Sequence, residues 1–256
     1  MIEPRAQAAI NLHAVLRDLE DLVAADPQAA AIVARTRERV TFRVPGIEPL
    51  SLTFTDGSCT AATGPGPLPA GHGDIRLAFA TPAHLNALIA GKGMPIPLRG
   101  LRHLGFLSKE FTALTSRLEE VLQPAPGAVR TPAEVERATT LTAYVAFFAL
   151  AQAGNHDTLG RANAARMVNG DIAIEVVGGP SVTLHARGGR LAVTKGVTGR
   201  PRARMRFDSL ATAGAILLGD LDSYAAMGDE RLAISGYVPL LDYMNKLLAL
   251  VARYLA

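Results

Sequence analysis

Val40-Thr41-Phe42-Arg43-Val44, Leu52-Thr53-Phe54-Thr55-Asp56-Gly57 and Asp74-Ile75-Arg76-Leu77-Ala78-Phe79 follow one another in the first half of the chain. Ile172-Ala173-Ile174-Glu175-Val176, Val182-Thr183-Leu184-His185-Ala186-Arg187-Gly188 and Arg202-Ala203-Arg204-Met205-Arg206-Phe207 follow in the same order in the second half. Apolar residues alternate with polar ones, the period of a strand with one buried face. After each set comes a short helix ending in glycine (Gly91, Gly219), a strand closed by glycine (Gly100, Gly236) and a long apolar helix. The pattern predicts an internal duplication: residues 1–122 form one copy, 123–130 a linker and 131–256 a second copy.

Local signals set the remaining elements. Ile10, Leu12, Leu16, Leu19 and Val23 recur at helical spacing, and Asp26-Pro27 reads as a cap with proline at the first helical position. Thr131-Pro132-Ala133-Glu134 is a capping box that starts a helix running to about Ala153, and Asp157 caps the next. Asp56-Gly57 and Gly188-Gly189 are hairpin turns. The Gly/Pro-rich stretch Gly64–Gly73 reads as a hairpin connection, with a lid over a pocket mouth as the other reading. In the final helices Leu101, Leu104, Leu107, Phe111, Leu114, Leu118 and Val121 form one stripe. Tyr237, Leu241, Met244, Leu248, Val251 and Leu255 form another, joined by Leu240, Tyr243, Leu247, Leu250 and Tyr254. A helix apolar over most of its circumference is covered on both sides or lines a cavity. Helices grouped on mostly antiparallel sheets make an α+β fold.

Composition narrows the function. The net charge is +3 and there is no aromatic–basic interleaving, so nucleic acid is not an expected partner. The single cysteine, Cys59, reads as a small strand residue and fits a reducing compartment. Residues 1–27 lack a signal-peptide core, and Ala138–Gly154 carries too many polar residues for a membrane span, so the expected location is cytoplasmic. No nucleophile elbow, P-loop, dinucleotide fingerprint or paired-histidine metal motif occurs, and no catalytic residue, metal or cofactor is assigned.

The strand-to-helix joints (Leu77-Ala78-Phe79-Ala80-Thr81-Pro82 and Met205-Arg206-Phe207-Asp208-Ser209-Leu210) carry a resemblance. So do the helix ends (Leu88-Ile89-Ala90-Gly91 and Leu217-Leu218-Gly219-Asp220) and the strand–glycine–helix closes (Pro97-Leu98-Arg99-Gly100-Leu101 and Ala233-Ile234-Ser235-Gly236-Tyr237). Over residues 38–122 and 168–256 the chain resembles the sterol carrier protein family, in two tandem copies. The resemblance implies a sheet covered by helices, with an apolar tunnel for a sterol, hopanoid, fatty acyl or isoprenoid lipid, to be bound, transferred or presented. The family supplies no shared catalytic residues. The chain departs from it in being doubled, in the long helix pairs before its strands, and in ending Tyr254-Leu255-Ala256 instead of in a peroxisomal address. The connection from Gly219 to Ile234 is also longer than that from Gly91 to Leu98.

On this reading the tunnel residues are Phe79, Leu88, Phe106, Phe111 and Leu114 in the first copy. Phe207, Ile216, Tyr237, Leu241, Met244 and Leu248 are those of the second. Arg200, Arg202, Arg204 and Arg206 alternate at strand period, which puts four guanidinium groups on one face. Such a row suits phosphate or a transient contact with an anionic membrane surface; a solvated face or a protected sheet edge is the other reading. Two further functions stand beside lipid carriage: an enzyme acting on a polyketide or terpenoid through Tyr237, Tyr243, His185 or Asp242, and a non-catalytic interaction module.

Overall fold

A computed structural model describes residues 2–125, 127–218 and 220–255. Gly219, where the sequence places a helix stop, Pro126 of the linker and Ala256 lie outside the described residues. The chain groups into two compact units, Gln7–Arg137 and Ala138–Ala256 with Met1–Ala6.

The chain opens with α1 (Pro4–Ile10), a π turn (Asn11–Val15), a 3-10 turn (Leu16–Asp18), α2 (Leu19–Ala25) and α3 (Pro27–Ile32). Then come β1 (Arg37–Arg43), β2 (Leu50–Thr55), β3 (Ser58–Thr63), β4 (Gly73–Ala78), α4 (Pro82–Ile89) and β5 (Ile96–Arg99). A 3-10 turn (Leu101–His103), α5 (Leu104–Phe106), a π turn (Leu107–Phe111) and α6 (Thr112–Leu122) make one continuous closing helix. The second half has α7 (Pro132–His156), α8 (Thr158–Arg166), β6 (Gly170–Val176), β7 (Ser181–Arg187), β8 (Arg190–Lys195) and β9 (Ala203–Phe207). It finishes with α9 (Leu210–Leu218), α10 (Ser223–Gly228), β10 (Leu232–Gly236) and its own closing helix, α11 (Val238–Leu255). The longer connection before β10 is thus occupied by α10. The apolar stretch from Ala138 lies within α7, with Leu141, Phe147 and Leu150 at most 1% exposed. Among the described residues no helix is long and apolar enough to cross a membrane.

The fold class is α+β, with one five-stranded sheet per unit. Strand order is β3-β2-β1-β4-β5 in the first and β8-β7-β6-β9-β10 in the second, so the two orders match strand for strand. All neighbours are antiparallel except β1 with β4 and β6 with β9. Those parallel pairs have equivalent register, Val40 opposite Ile75 and Ile172 opposite Ala203.

This order corrects the reading of Gly64–Gly73. β3 and β4 are not neighbours, so their connection is no hairpin turn; it has to pass over β2 and β1. It does so on the face away from the apolar core, where Arg39 Nη1 donates to the carbonyls of Pro65 and Gly66 (2.5 and 3.1 Å). Arg39 is 3% exposed beneath the loop and its guanidinium reaches Asp74 Oδ1 (2.8 Å). Arg76 and Arg99 approach the other oxygen (2.9 and 3.3 Å). Burial pushes the Asp74 carboxyl up, but the hydrogen bonds from Arg39 and Arg76 outweigh it and hold the carboxyl below its ordinary value. In the second unit the corresponding crossover is tied by Thr183, whose hydroxyl donates to Gly196 and accepts from Thr198 N–H (2.8 and 2.9 Å).

One device recurs at the helix layer. Asp26 caps α3 with one oxygen, accepting from Gln28 N–H (2.9 Å), and receives Arg117 Nε of α6 on the other (2.8 Å). Asp157 caps α8 through Gly160 N–H (2.8 Å) and receives the Tyr254 hydroxyl of α11 on its other oxygen (2.6 Å). Each capping aspartate therefore also clasps the closing helix of its unit. Burial, then the bond to Asp157, push the Tyr254 phenol up to about 12.

Tyr254→Phe should lower the unfolding free energy by about 1.5–3 kcal/mol, the worth of a hydrogen bond to a charged acceptor, in urea titrations. An ultraviolet pH titration should lose the phenol that ionises near pH 12. Because the unfolded tyrosine ionises near 10, the wild type should lose this contribution progressively as the pH rises from 10 to about 12. Asp74→Asn leaves Arg39 buried without its counter-charge and should cost about 3 kcal/mol. The Asp74 contribution is present above pH 3.8 and drains away below it, because the unfolded carboxyl protonates first.

Candidate functional site

In each unit the apolar face of the sheet and the closing helix enclose one layer. Its first-unit floor is Val40, Phe42, Leu52, Phe54, Ile75 and Leu77, all at most 3% exposed. Phe106 and Phe111 come down onto it from the closing helix. Their rings lie 5.3 Å (Phe54–Phe106), 5.9 Å (Phe42–Phe111) and 6.2 Å (Phe106–Phe111) apart, within aromatic contact range.

The π turn makes this cluster. Residues five apart sit on different faces of a regular α-helix, but one π turn inserts the extra residue that brings Phe106 and Phe111 together. Leu107 C=O accepts from Thr112 N–H across that turn and from the Thr112 hydroxyl (2.9 Å). A stripe of regular spacing through Leu101, Leu104 and Leu107 therefore does not describe the buried face. Leu101 is 67% exposed, while Leu104, Leu107 and Phe111 are half-buried. Below the turn the helix returns to α and Leu114 and Leu118 are buried.

One end of this layer is polar. Glu38 is in phase with Val40 and Phe42, so its carboxylate points inward, where Oε1 meets His103 Nδ1 (2.8 Å). Glu38 Oε2 is buried without a hydrogen-bond partner among the described residues. Gly73 makes the room: a Cβ there would collide with Glu38 Oε2 and lie 2.7 Å from His103 Nδ1. Gly100, with φ of 85°, turns the chain into the closing helix directly over β4, where a Cβ would stand 2.6 Å from the Asp74 carbonyl oxygen. Gly236 plays the same part in the second unit, with φ of 88° and the Arg202 carbonyl in the way of any Cβ. A chain from Gln7 Nε2 through Asn11 to Asn86 Oδ1 (3.1 Å at each step) fixes α4 at the layer's side.

The residues assigned to the tunnel fall into two groups. Phe79, Phe106, Leu114, Phe207, Leu241 and Met244 are buried in the layers, at most 8% exposed. Leu88, Phe111, Ile216 and Leu248 are half-buried at the margins, and Tyr237 is 39% exposed. The Tyr237 ring lies 4.9 Å beneath the Arg202 guanidinium, a cation–π contact.

The arginine row is shorter than its spacing indicates. β9 begins at Ala203, so only Arg204 and Arg206 stand in the strand; Pro201, which has no N–H to give a ladder, precedes it. Arg204 pairs with Glu175 (2.8 Å) and Arg202 donates to the Asn169 carbonyl (2.9 Å).

The groups considered for acid–base work have separate partners. Asp242 holds Lys246 (2.7 Å), and that ammonium lies over the Tyr243 ring. His185 stands between Asp171 Oδ1 and Thr194 Oγ1 (2.9 Å each) on the outer face of the second sheet. Arg187 takes the same Asp171 oxygen (2.6 Å). Burial pushes the Asp171 carboxyl up, but His185 and Arg187 outweigh it and hold it below its ordinary value. Asp171, His185 and Thr194 come from three adjacent strands, which makes them a cross-strand ladder. A groove of about 550 Å³ in this unit runs between α8 and the β7–β8 hairpin, lined by Asn155, Thr158, Arg161, Gly188, Gly189 and Arg190 among others.

No family model matches the chain, and no curated protein matches it by sequence. Solved structures similar to it include the sterol carrier protein domain 2 of Helicoverpa armigera, at 18% identity and a TM-score of 0.37, over 50% of this chain and 96% of that one. The UbiJ-SCP2 ubiquinone synthesis protein is similar at 17% identity and a TM-score of 0.30, over 37% of this chain and 82% of that one. Sterol carrier protein 2 like 2 of Aedes aegypti is similar at 19% identity and a TM-score of 0.25, over 35% and 86%.

Proposed function

We propose that this chain is an internal duplication of a lipid-binding α+β domain, and that it holds an apolar lipid between sheet and closing helix. One observation carries the reading: in the first unit two rings of the sheet, Phe42 and Phe54, meet two rings, Phe106 and Phe111, of a helical segment, Leu101–Phe111, that is only partly packed down. Ordinary core helices bury their apolar stripe throughout, as α6 does with Leu114, Leu118 and Val121. A π turn at the same place adds to the case, since such turns gather at functional sites. The resemblance read from the strand-to-helix joints points the same way.

A ligand there would slide its chain against Phe106, Phe111 and Leu88, and each CH₂ shielded from water contributes about 0.8 kcal/mol. Its polar end would meet Glu38 and His103, where Oε2 is an acceptor in want of a donor. The second unit offers the corresponding layer through Phe207, Ile216, Leu241 and Leu248, under a regular closing helix that packs down along its length.

A fluorescent fatty acid titrated into the protein should gain emission on binding. Phe111→Arg, which places an unpaired charge at the margin of the layer, should weaken binding at the first unit by at least about ten-fold. Phe111→Leu should retain it, with circular dichroism confirming that both variants fold. Absence of probe binding to the wild type, or equal binding by Phe111→Arg, would reject the reading.

A further inference from the structure

We propose that the corner of the first unit where α4, β5 and the start of the closing helix meet docks on an anionic lipid bilayer. The proposal stands on exposed apolar surface and charge, and does not depend on what the layer binds.

Five large apolar side chains are exposed within this short stretch: Ile89 (44%), Met94 (81%), Ile96 (46%), Leu98 (56%) and Leu101 (67%). Every residue of β5 is exposed, and it is the edge strand of its sheet. A cluster of this kind on one surface marks an interaction site.

Charge selects the partner. No Asp or Glu occurs from Ile75 to Lys109, while Lys92, Arg99, Arg102 and Lys109 all do. Lys92, Arg102 and Lys109 are exposed and in no ion pair among the described residues, and Arg99 is 61% exposed beside Asp74. The corresponding stretch of the second unit, Ala203 to Asn245, carries Asp208, Asp220, Asp222, Asp229, Glu230 and Asp242 against Arg204, Arg206 and Arg231. The two stretches follow the same order of helix, strand and glycine, so the lack of acid is particular to the first. Apolar side chains rimmed by unpaired cations suit an interface of acyl chains beneath anionic headgroups.

The test is co-sedimentation of the full chain with vesicles of phosphatidylglycerol and phosphatidylcholine, against phosphatidylcholine alone, at low and high salt. The wild type should bind the anionic vesicles and release as salt rises. Lys92→Gln with Arg102→Gln should weaken that binding roughly 30-fold. Leu98→Ser with Leu101→Ser should weaken it at least about ten-fold, because buried apolar area is lost. Arg204→Ser with Arg206→Ser should leave it unchanged. As a readout independent of variant stability, Met94→Cys carrying an environment-sensitive dye should shift its emission to the blue on anionic vesicles; Cys59 is buried and stays out of the labelling. The proposal is overturned if the wild type ignores anionic vesicles, if the corner variants bind as the wild type does, or if only Arg204→Ser with Arg206→Ser abolishes binding. A dimer that the leucine substitutions dissolve while vesicle binding is unchanged would assign the corner to self-association instead.

Discussion

A carboxylate has two oxygens, and in each unit one aspartate uses them for two different tasks. One oxygen of Asp26 or Asp157 caps the second opening helix, and the other holds the closing helix through Arg117 or Tyr254. The closing helix is the lid of the apolar face of the sheet, so these contacts fix how far that face is shut. At its other end each closing helix is hinged at a left-handed glycine pressed onto the neighbouring strand's backbone. Between hinge and clasp α11 is regular and packs along its length. Its first-unit counterpart gains a π turn and lies loosely over its first half. The difference separates the two units as candidate ligand sites.

The outer faces differ as well. Under the first crossover lie Arg39 and Asp74, a buried ion pair joined by two further arginines, Arg76 and Arg99, and two loop carbonyls. At the equivalent places the second sheet has Asp171 and Arg202: Asp171 pairs with His185 and Arg187, and Arg202 donates to the Asn169 carbonyl. One scaffold therefore carries a buried charged seam in one unit and, with the signs exchanged, a more exposed charged one in the other. A sheet tolerates this because its outer face meets loop and water while the inner face, conserved in phase between the halves, carries the packing.

Much of this architecture was legible locally. Alternation located the strands, and capping residues located the helix starts: Thr131 and Glu134 exchange the bonds of a capping box, and Asp26, Asp157 and Thr81 accept from backbone N–H groups. What escaped was non-local. Strand order is not written in any one strand, so the Gly64–Gly73 stretch alone suggests a hairpin connection where the structure has a crossover over Arg39 and a parallel β1–β4 pair. The π turn was hidden because a search at helical period slides over one inserted residue; Phe106 and Phe111, five apart, were the trace of it. Glu38 was visible as a charged residue in the inward phase of β1, but its partner His103 lies across the sheet in a different element. Arg200 and Arg202 fit strand period although the strand begins at Ala203, with Arg202 N–H still donating to the Asp171 carbonyl. The second oxygen of each capping aspartate finds a partner far along the chain, beyond the reach of a local motif.

The central claim is that the layer between sheet and closing helix holds a lipid. Native mass spectrometry of freshly purified protein tests it most directly. Protein that carries a lipid should show, besides the bare chain, a species heavier by the mass of one lipid or two, and extraction should release that molecule unchanged. Bare chain alone, before and after incubation with fatty acids and isoprenoid lipids, would contradict it.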